Sequence, residues 1–217
     1  MSNEDKFALK AKEYDALQRR VDTAQNIAAK IKKNIDLNRN MHLIDFGSGT
    51  GLLLEALAKD VKKITAIDIS PSMIEVLSKK KLSCQIDIQK LDLTKDNLDI
   101  KVDGIVSSMT MHHIKDVKAL LKKFYNMIKD KGFIAIADLD TEDGTFHSVD
   151  TGVEHFGFNR EEFKNWLKEA GFKDIKIKDA ATISKPHKSF NLFLATAIKK
   201  WGLSPLLIFS RFLPEVN

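Results

Sequence analysis

The stretch Leu43–Ala58 constrains this chain more than any other. It reads Leu-Ile-Asp-Phe-Gly-Ser-Gly-Thr-Gly, then Leu52, Leu53, Leu54, Glu55, Ala56, Leu57 and Ala58. An apolar run ends in Asp45, alternate glycines come next, and leucine-rich helical periodicity begins. The pattern predicts a buried strand, a tight turn and a helix N-terminus. Gly47, Gly49 and Gly51 carry no Cβ, so the turn can adopt positive φ and a ligand can reach the backbone. The first N–H groups of the helix face that space with partial positive charge, which stabilises a carboxylate or phosphate there.

Spacing narrows the ligand. A dinucleotide fingerprint, Gly-x-Gly-x-x-Gly, needs glycine where Leu52 stands, and a P-loop needs a Gly-Lys-Ser/Thr that is absent. A second apolar strand, Ile64-Thr65-Ala66-Ile67, ends in Asp68, 21 positions after Gly47. An acid near that distance, at the tip of the next strand, is where a nucleotide ribose is grasped. Ser70 suits an N-cap and Pro71 the first helical position, so a helix is expected through about Lys80.

Asp45-x-Gly-x-Gly-x-Gly closely resembles motif I of the class I S-adenosylmethionine-dependent methyltransferases, and Asp68-Ile69-Ser70-Pro71-Ser72-Met73 looks like their motif II. The resemblance runs in order from Leu43 to Ala197, and is nearest to small-molecule members of the type 11 kind. It implies that Gly47, Ser48, Gly49 and Gly51 bound the cofactor's methionine moiety, with Asp45 beneath its amino-acid end. It puts Asp68 on the ribose, with Ile69 beside the adenine and Met73 next in the same motif. Leu91-Asp92-Leu93 resembles the segment where an acid accepts from the adenine amine, which makes Asp92 and Leu93 candidates. Val102–Met109 resembles motif IV and brings in Ser107. Met111-His112-His113-Ile114-x-Asp116 after it is typical of small-molecule members. In related enzymes an N-terminal helix lies over the cleft with an early tyrosine inward, which makes Tyr14 a candidate.

Apolar residues from Tyr14 to Ile35 recur at three- and four-residue steps, so Phe7–Ile35 reads as one amphipathic helix or two with a break. Beyond it, strand and helix alternate: His42–Phe46, Leu52–Lys59, Ile64–Asp68, Ser72–Lys80, Gln85–Lys90, Gly104–Ser107, Asp116 to about Ile128, and Phe133–Asp138. Such alternation implies a parallel sheet covered on both faces. Asn159 caps a helix with core face Phe163, Trp166, Leu167 and Ala170, stopped by Gly171. Ile175–Ile177 and Phe190–Ile198 read as a closing antiparallel hairpin. With the resemblance, the expected fold is α/β, Rossmann-like and doubly wound: a mainly parallel seven-stranded sheet with an antiparallel last strand and an N-terminal helical cap. The chain divides into a cap at 1–40, a methyltransferase domain at 41–198 and an apolar tail at 199–217.

Methyl transfer is an in-line displacement in which positioning does much of the work. A hydroxyl acceptor also needs a base, and imidazole titrates in the right range. His113, His147 and His112, in that order, are the candidates; His155 lies in the same loop, Leu139–Phe158, which is long enough to suggest function. Asp138, Asp140, Glu142 and Asp143 lie close together, but other features of magnesium-dependent catechol methyltransferases are missing, so no metal is expected. Intact glycines and Asp68 argue for turnover over the alternative, a non-catalytic S-adenosylmethionine-binding or assembly factor.

The 217 residues, 43% hydrophobic and 30% charged, suit one globular domain, and the single cysteine, Cys84, excludes an internal disulfide. The net charge of +5 comes from 30 lysines against 5 arginines, scattered among acids. Nucleic-acid recognition favours arginine's planar fork, so a nucleic-acid partner is not expected, and the resemblance implies a small-molecule methyl acceptor. Met1–Asp5 carries no signal pattern, and a cytoplasmic protein is expected. The tail is too short to span a bilayer. It is expected to pack on the domain or self-associate, with a membrane interface as the remaining option.

Overall fold

The computed structural model describes residues 5, 8–11, 13–147, 149, 151–186 and 188–201. The tail beyond Trp201 therefore lies outside the described residues, and with it most of the segment expected to pack or self-associate. Among the described residues no helix is long and apolar enough to cross a membrane.

Two helices open the chain, α1 (Ala8–Ala11) and α2 (Gln18–Asn34), so the amphipathic stretch is broken once. Strands β1 (His42–Phe46), β2 (Lys63–Asp68), β3 (Gln85–Lys90), β4 (Val102–Ser108), β5 (Ile128–Leu139), β6 (Lys173–Lys185) and β7 (Lys188–Ile198) form one sheet of order β3-β2-β1-β4-β5-β7-β6. Pairings from β3 across to β5 are parallel, and β7 runs antiparallel to both β5 and β6. Helices α3 (Leu52–Leu57), α4 (Pro71–Ser78), α5 (Val117–Met127) and α6 (Arg160–Ala170) cover the faces. The strand order reverses at β1, whose neighbours β2 and β4 belong to opposite halves, and ligands bind beyond such a switch point.

Because consecutive side chains of a strand point to opposite faces, β1 feeds two cores. Ile44 and Phe46 join Leu121, Phe124, Phe163 and Phe193 under α5 and α6. Leu43 joins Ile27, Ile31, Leu54, Leu192 and Leu194 under α2 and α3. Each helix start is fixed locally. Ser70 Oγ accepts from Met73 N, Asp116 Oδ1 from Ala119 N, and Asn159 Oδ1 from the N–H groups of Glu161 and Glu162. Gly171 closes α6 in the left-handed conformation at φ 109°. The exceptions are α2 and α3, whose Ncap residues, Leu17 and Gly51, supply no side-chain cap, and the α3 start lies at the glycine turn.

β5 and β6 exceed the sequence reading most. β5 begins at Ile128, directly after α5, and its pairing with β4 shifts register between Val102 and Gly104. β6 runs on to Lys185 through a second irregularity between Asp179 and Ala181.

Candidate active site

The three glycines after β1 do two different jobs, all at positive φ (67°, 53° and 86°). A Cβ on Gly47 would overlap the Thr110 side chain, and one on Gly51 would overlap Leu77 Cδ1. Those two permit packing. A Cβ on Gly49 would meet nothing within 4 Å, so the described residues leave open space there. The turn is tied to β2, Gly47 N and Ser48 N both donating to the Ile67 carbonyl.

Beneath the turn, Asp45 is buried, and among the described residues its Oδ2 has no hydrogen-bond partner; nor does the buried Ser48 Oγ. Burial, and secondarily the Asp68 carboxylate, push the Asp45 carboxyl up to about 7, against the Leu54 N–H that favours ionisation. Orphaned buried acceptors are costly unless a ligand completes them. A cationic amino-acid head group would do so, and the open cradle over Gly49 leaves room for it.

Asp68, at the end of β2, accepts from Gly49 N on Oδ2 (2.7 Å) and from Ser70 N on Oδ1 (2.8 Å). Burial raises its pKa, the Ser70, Gly49 and Ile69 N–H groups oppose the rise, and Asp5 adds to it. Ile69 is 61% exposed beside it, an apolar surface of the kind a base-stacking residue presents. Met73 is buried. Asp92 spends its carboxylate on Thr94 N and Oγ1 and on Lys95 Nζ. Leu93 is wholly buried in the core, and Ser107 Oγ donates to the Phe46 carbonyl. Of these last two, only the backbone is left to a ligand.

Two acids that the sequence did not single out hold the N-terminal segment over this cleft. Asp5 accepts from Ser70 Oγ (2.8 Å), Ser72 Oγ (2.7 Å) and Ser72 N (3.1 Å). Asp15 accepts from Thr50 Oγ1 (2.5 Å) and pairs with Lys80 Nζ at 2.7 Å. Tyr14 stands in the turn between α1 and α2, with the Arg20 guanidinium 3.8 Å above its ring. Burial raises its phenol pKa; Arg20 opposes that, and Asp15 and Asp68 add to it, so Tyr14 lies within electrostatic reach of Asp68.

The loop after β4 carries a histidine cluster. His112 is 1% exposed, with Nδ1 2.6 Å from Asp138 Oδ1 at the end of β5. Its Nε2 faces His147 Nε2 at 3.1 Å. His147 Nδ1 meets Thr151 Oγ1, and His113 Nδ1 donates to the Gly152 carbonyl, each at 3.1 Å. His112, His113 and His147, the expected candidates, thus come together from two loops. His155 does not: its Nε2 meets the Ile114 carbonyl, and its ring packs on Phe158. The cluster opens through His147 to a cavity of about 390 Å³ whose walls include Thr151, Val149 and Phe156. A larger depression of about 630 Å³, between α2 and α3, is lined by none of these histidines and by neither Asp45 nor Asp68, so it stands apart from the chemistry.

The acids of the β5 loop disperse. Asp138 holds His112, Asp140 takes Arg160 bidentately, Glu142 caps Thr145 N and Phe146 N, and Asp143 pairs with Lys188. Sequence reasoning missed Asp138 as the partner of His112. The signal that could have found it is that β4 and β5 are neighbours, so the residues after Ser108 lie beside those after Ala137.

The sheet order, the glycine turn at its switch point and the ribose-type acid on the next strand define the class I S-adenosylmethionine-dependent methyltransferase architecture. Residues 17–177 match the family model described as a methyltransferase domain, and the chain belongs to that family. An uncharacterized methyltransferase of Schizosaccharomyces pombe is 30% identical, over 63% of this chain and 55% of its own length. The malonyl-[acyl-carrier protein] O-methyltransferase of Priestia megaterium is 26% identical, over 69% of this chain and 55% of its own. The chain spans about half the length of these curated relatives. Among solved structures, the Haemonchus contortus phosphoethanolamine N-methyltransferase 2 in complex with S-adenosylmethionine superposes with TM-score 0.64 at 17% identity, over 82% of this chain and 52% of that one. The [4+2]-cyclase SpnF superposes with TM-score 0.66 at 16% identity, over 82% and 81%. At these identities the likeness is one of fold.

Proposed function

We propose that the protein transfers the methyl group of S-adenosylmethionine to a hydroxyl oxygen of a small molecule. The observation that carries the oxygen is the imidazole cluster of His112, His113 and His147, backed by Asp138, beside a cavity beyond the ends of β4 and β5. When bound, S-adenosylmethionine supplies a sulfonium methyl: the acceptor's lone pair forms the new O–C bond while the C–S bonding pair returns to sulfur. Asp45 and Ser48 hold the amino-acid end, and Asp68 holds the ribose hydroxyls. Tyr14 and the strap anchored by Asp5 and Asp15 cover the cleft. The acceptor's proton leaves toward the histidine cluster, and Val149 and Phe156 offer it an apolar wall. Malonyl-[acyl-carrier protein] and ubiquinone-pathway O-methyltransferases among the relatives support oxygen.

The fold also serves a [4+2]-cyclase, which keeps the alternative of a cofactor-binding protein without methyl transfer in view. One experiment separates them. The protein is incubated with methyl-labelled cofactor and panels of small hydroxyl, amine and thiol compounds. Label in the hydroxyl panel is the expected result. Label confined to amines overturns the oxygen assignment, and tight cofactor binding without transfer favours the binding factor.

A further inference from the structure

We propose that His112, His113 and His147 bind one divalent transition-metal ion, with zinc the best match, and that Asp138 orients the site from behind. One ring nitrogen of each histidine lies within 4.8 Å of the others. The Nδ1 of each faces an oxygen: the Asp138 carboxylate, the Gly152 carbonyl and the Thr151 hydroxyl. That arrangement leaves Nε2 as the ligand atom of His112, and the site proposed takes Nε2 of His113 and His147 as well. Imidazoles that ligate a metal characteristically turn their other nitrogen to a carboxylate, a carbonyl or another oxygen, which fixes tautomer and ring orientation. Such a backing group is present here for all three.

Two further features point to a cation. With Nδ1–H of His112 turned to Asp138, its Nε2 presents a lone pair to His147 Nε2 3.1 Å away, a contact that a His147 N–H fills without metal and that an ion would take over by displacing that proton. Two nitrogens each about 2.0–2.1 Å from a tetrahedral zinc stand roughly 3.3 Å apart, so this edge already has the dimension of a shared ion. The longest edge must contract by at most about 1.5 Å. Asp138 is wholly buried, and its hydrogen-bond partners among the described residues are the His112 ring, His112 N and Leu139 N. A cation one imidazole away compensates that buried carboxylate.

An all-imidazole set suits zinc, cobalt, nickel or copper and disfavours magnesium or calcium, which take oxygen ligands. Three protein ligands leave a fourth position open, the pattern of catalytic rather than structural zinc. His147, one of the three ligands, also lines the cavity. Binding stands independently of methyl transfer. Its consequence rests on the oxygen acceptor proposed above and changes one part of that reading: in the metal-loaded protein the histidines act as ligands in place of base, and an acceptor hydroxyl bound at the open position would lose its proton to solvent water.

The test titrates tag-free, chelator-stripped protein with cobalt(II), read by visible absorption, and with zinc(II), read by calorimetry. One saturable equivalent is expected. His113→Ala and His147→Ala, at partly exposed positions, should each weaken binding at least 100-fold while keeping native circular dichroism, and Asp138→Asn should weaken it about 10–100-fold. His155→Ala should bind as wild type. Folded wild-type protein that takes up neither ion, or unchanged binding in both His113→Ala and His147→Ala, overturns the site. Methyl transfer that survives chelation in a protein taking up no metal overturns the site and leaves the function standing. Uptake that depends on these histidines in a protein that transfers no methyl group upholds the site alone.

Discussion

Thr110 closes on Gly47: its Oγ1 lies 3.3 Å from the Gly47 carbonyl, and its side chain fills the space where a Gly47 Cβ would stand. This contact ties the glycine turn to the segment that leads into His112 and His113.

Gly47→Ala should therefore destabilise the protein by about 1–3 kcal/mol, from overpacking and from alanine at positive φ. Thr110→Gly removes the obstructing atoms and should recover part of that loss in the double variant. Urea unfolding of the four proteins gives the coupling, and strictly additive effects would show that the contact does not constrain the turn.

Gly49→Ala should behave oppositely. Its Cβ enters open space, so stability falls only by the left-handed backbone cost, about 1–2 kcal/mol. Cofactor affinity should fall at least 10-fold, because the same space is where the ligand belongs. A variant that binds the cofactor as wild type would make the turn merely structural.

Asp68→Ala removes charge-assisted hydrogen bonds and should weaken cofactor binding by roughly 1.5–3 kcal/mol. Unchanged calorimetric affinity in the folded variant would remove Asp68 from the site.

Asp45 carries a pH signature. Its carboxyl titrates near 7 in the folded chain and near 3.9 unfolded, so the folded state holds the proton more tightly. The contribution to stability is complete below about pH 4 and is lost as pH rises through about 7, amounting to roughly 4 kcal/mol at most. Asp45→Asn should flatten that slope in denaturation series. A cationic ligand head group favours the ionised form, so cofactor binding near pH 6.5 should release up to about one proton. Calorimetry in two buffers of different ionisation enthalpy reads the release directly, and identical heats after correction would refute the coupling.

Much of the frame was legible because period and punctuation agree. His42–Phe46 and Gln85–Lys90 match β1 and β3 at both ends, and Ser70, Asp116 and Asn159 cap helices where their side-chain chemistry says they should. β5 hid its start because Ile128-Lys-Asp-Lys-Gly reads as a turn, with Lys131 at φ 66° inside it. β6 hid its length because Asp179-Ala180-Ala181 breaks the period-two pattern where the ladder shifts register. At the site, the residues of single motifs were found and the pairs between motifs were not. His112 and His147 are 35 residues apart, and Asp15 and Thr50 likewise, and neither separation can be read from local pattern. The acids Asp138, Asp140, Glu142 and Asp143 lie close in sequence but take separate partners, whereas histidines from two loops converge.

The seat of α2 has a temporal consequence. Ile27 and Ile31 share their core with Leu192 and Leu194, Lys30 Nζ donates to the Asp179 carbonyl, and Lys178 Nζ donates to Asn34 Oδ1. A ribosome delivers α2 early and the strands that cover it last, so its apolar face waits while the 149 positions from Lys30 to Asp179 are made. A nascent chain stalled before β7 carries a complete glycine turn under a roof whose far support does not yet exist. Until β6 and β7 are made, the apolar face of α2 lacks the partners that bury it in the folded chain.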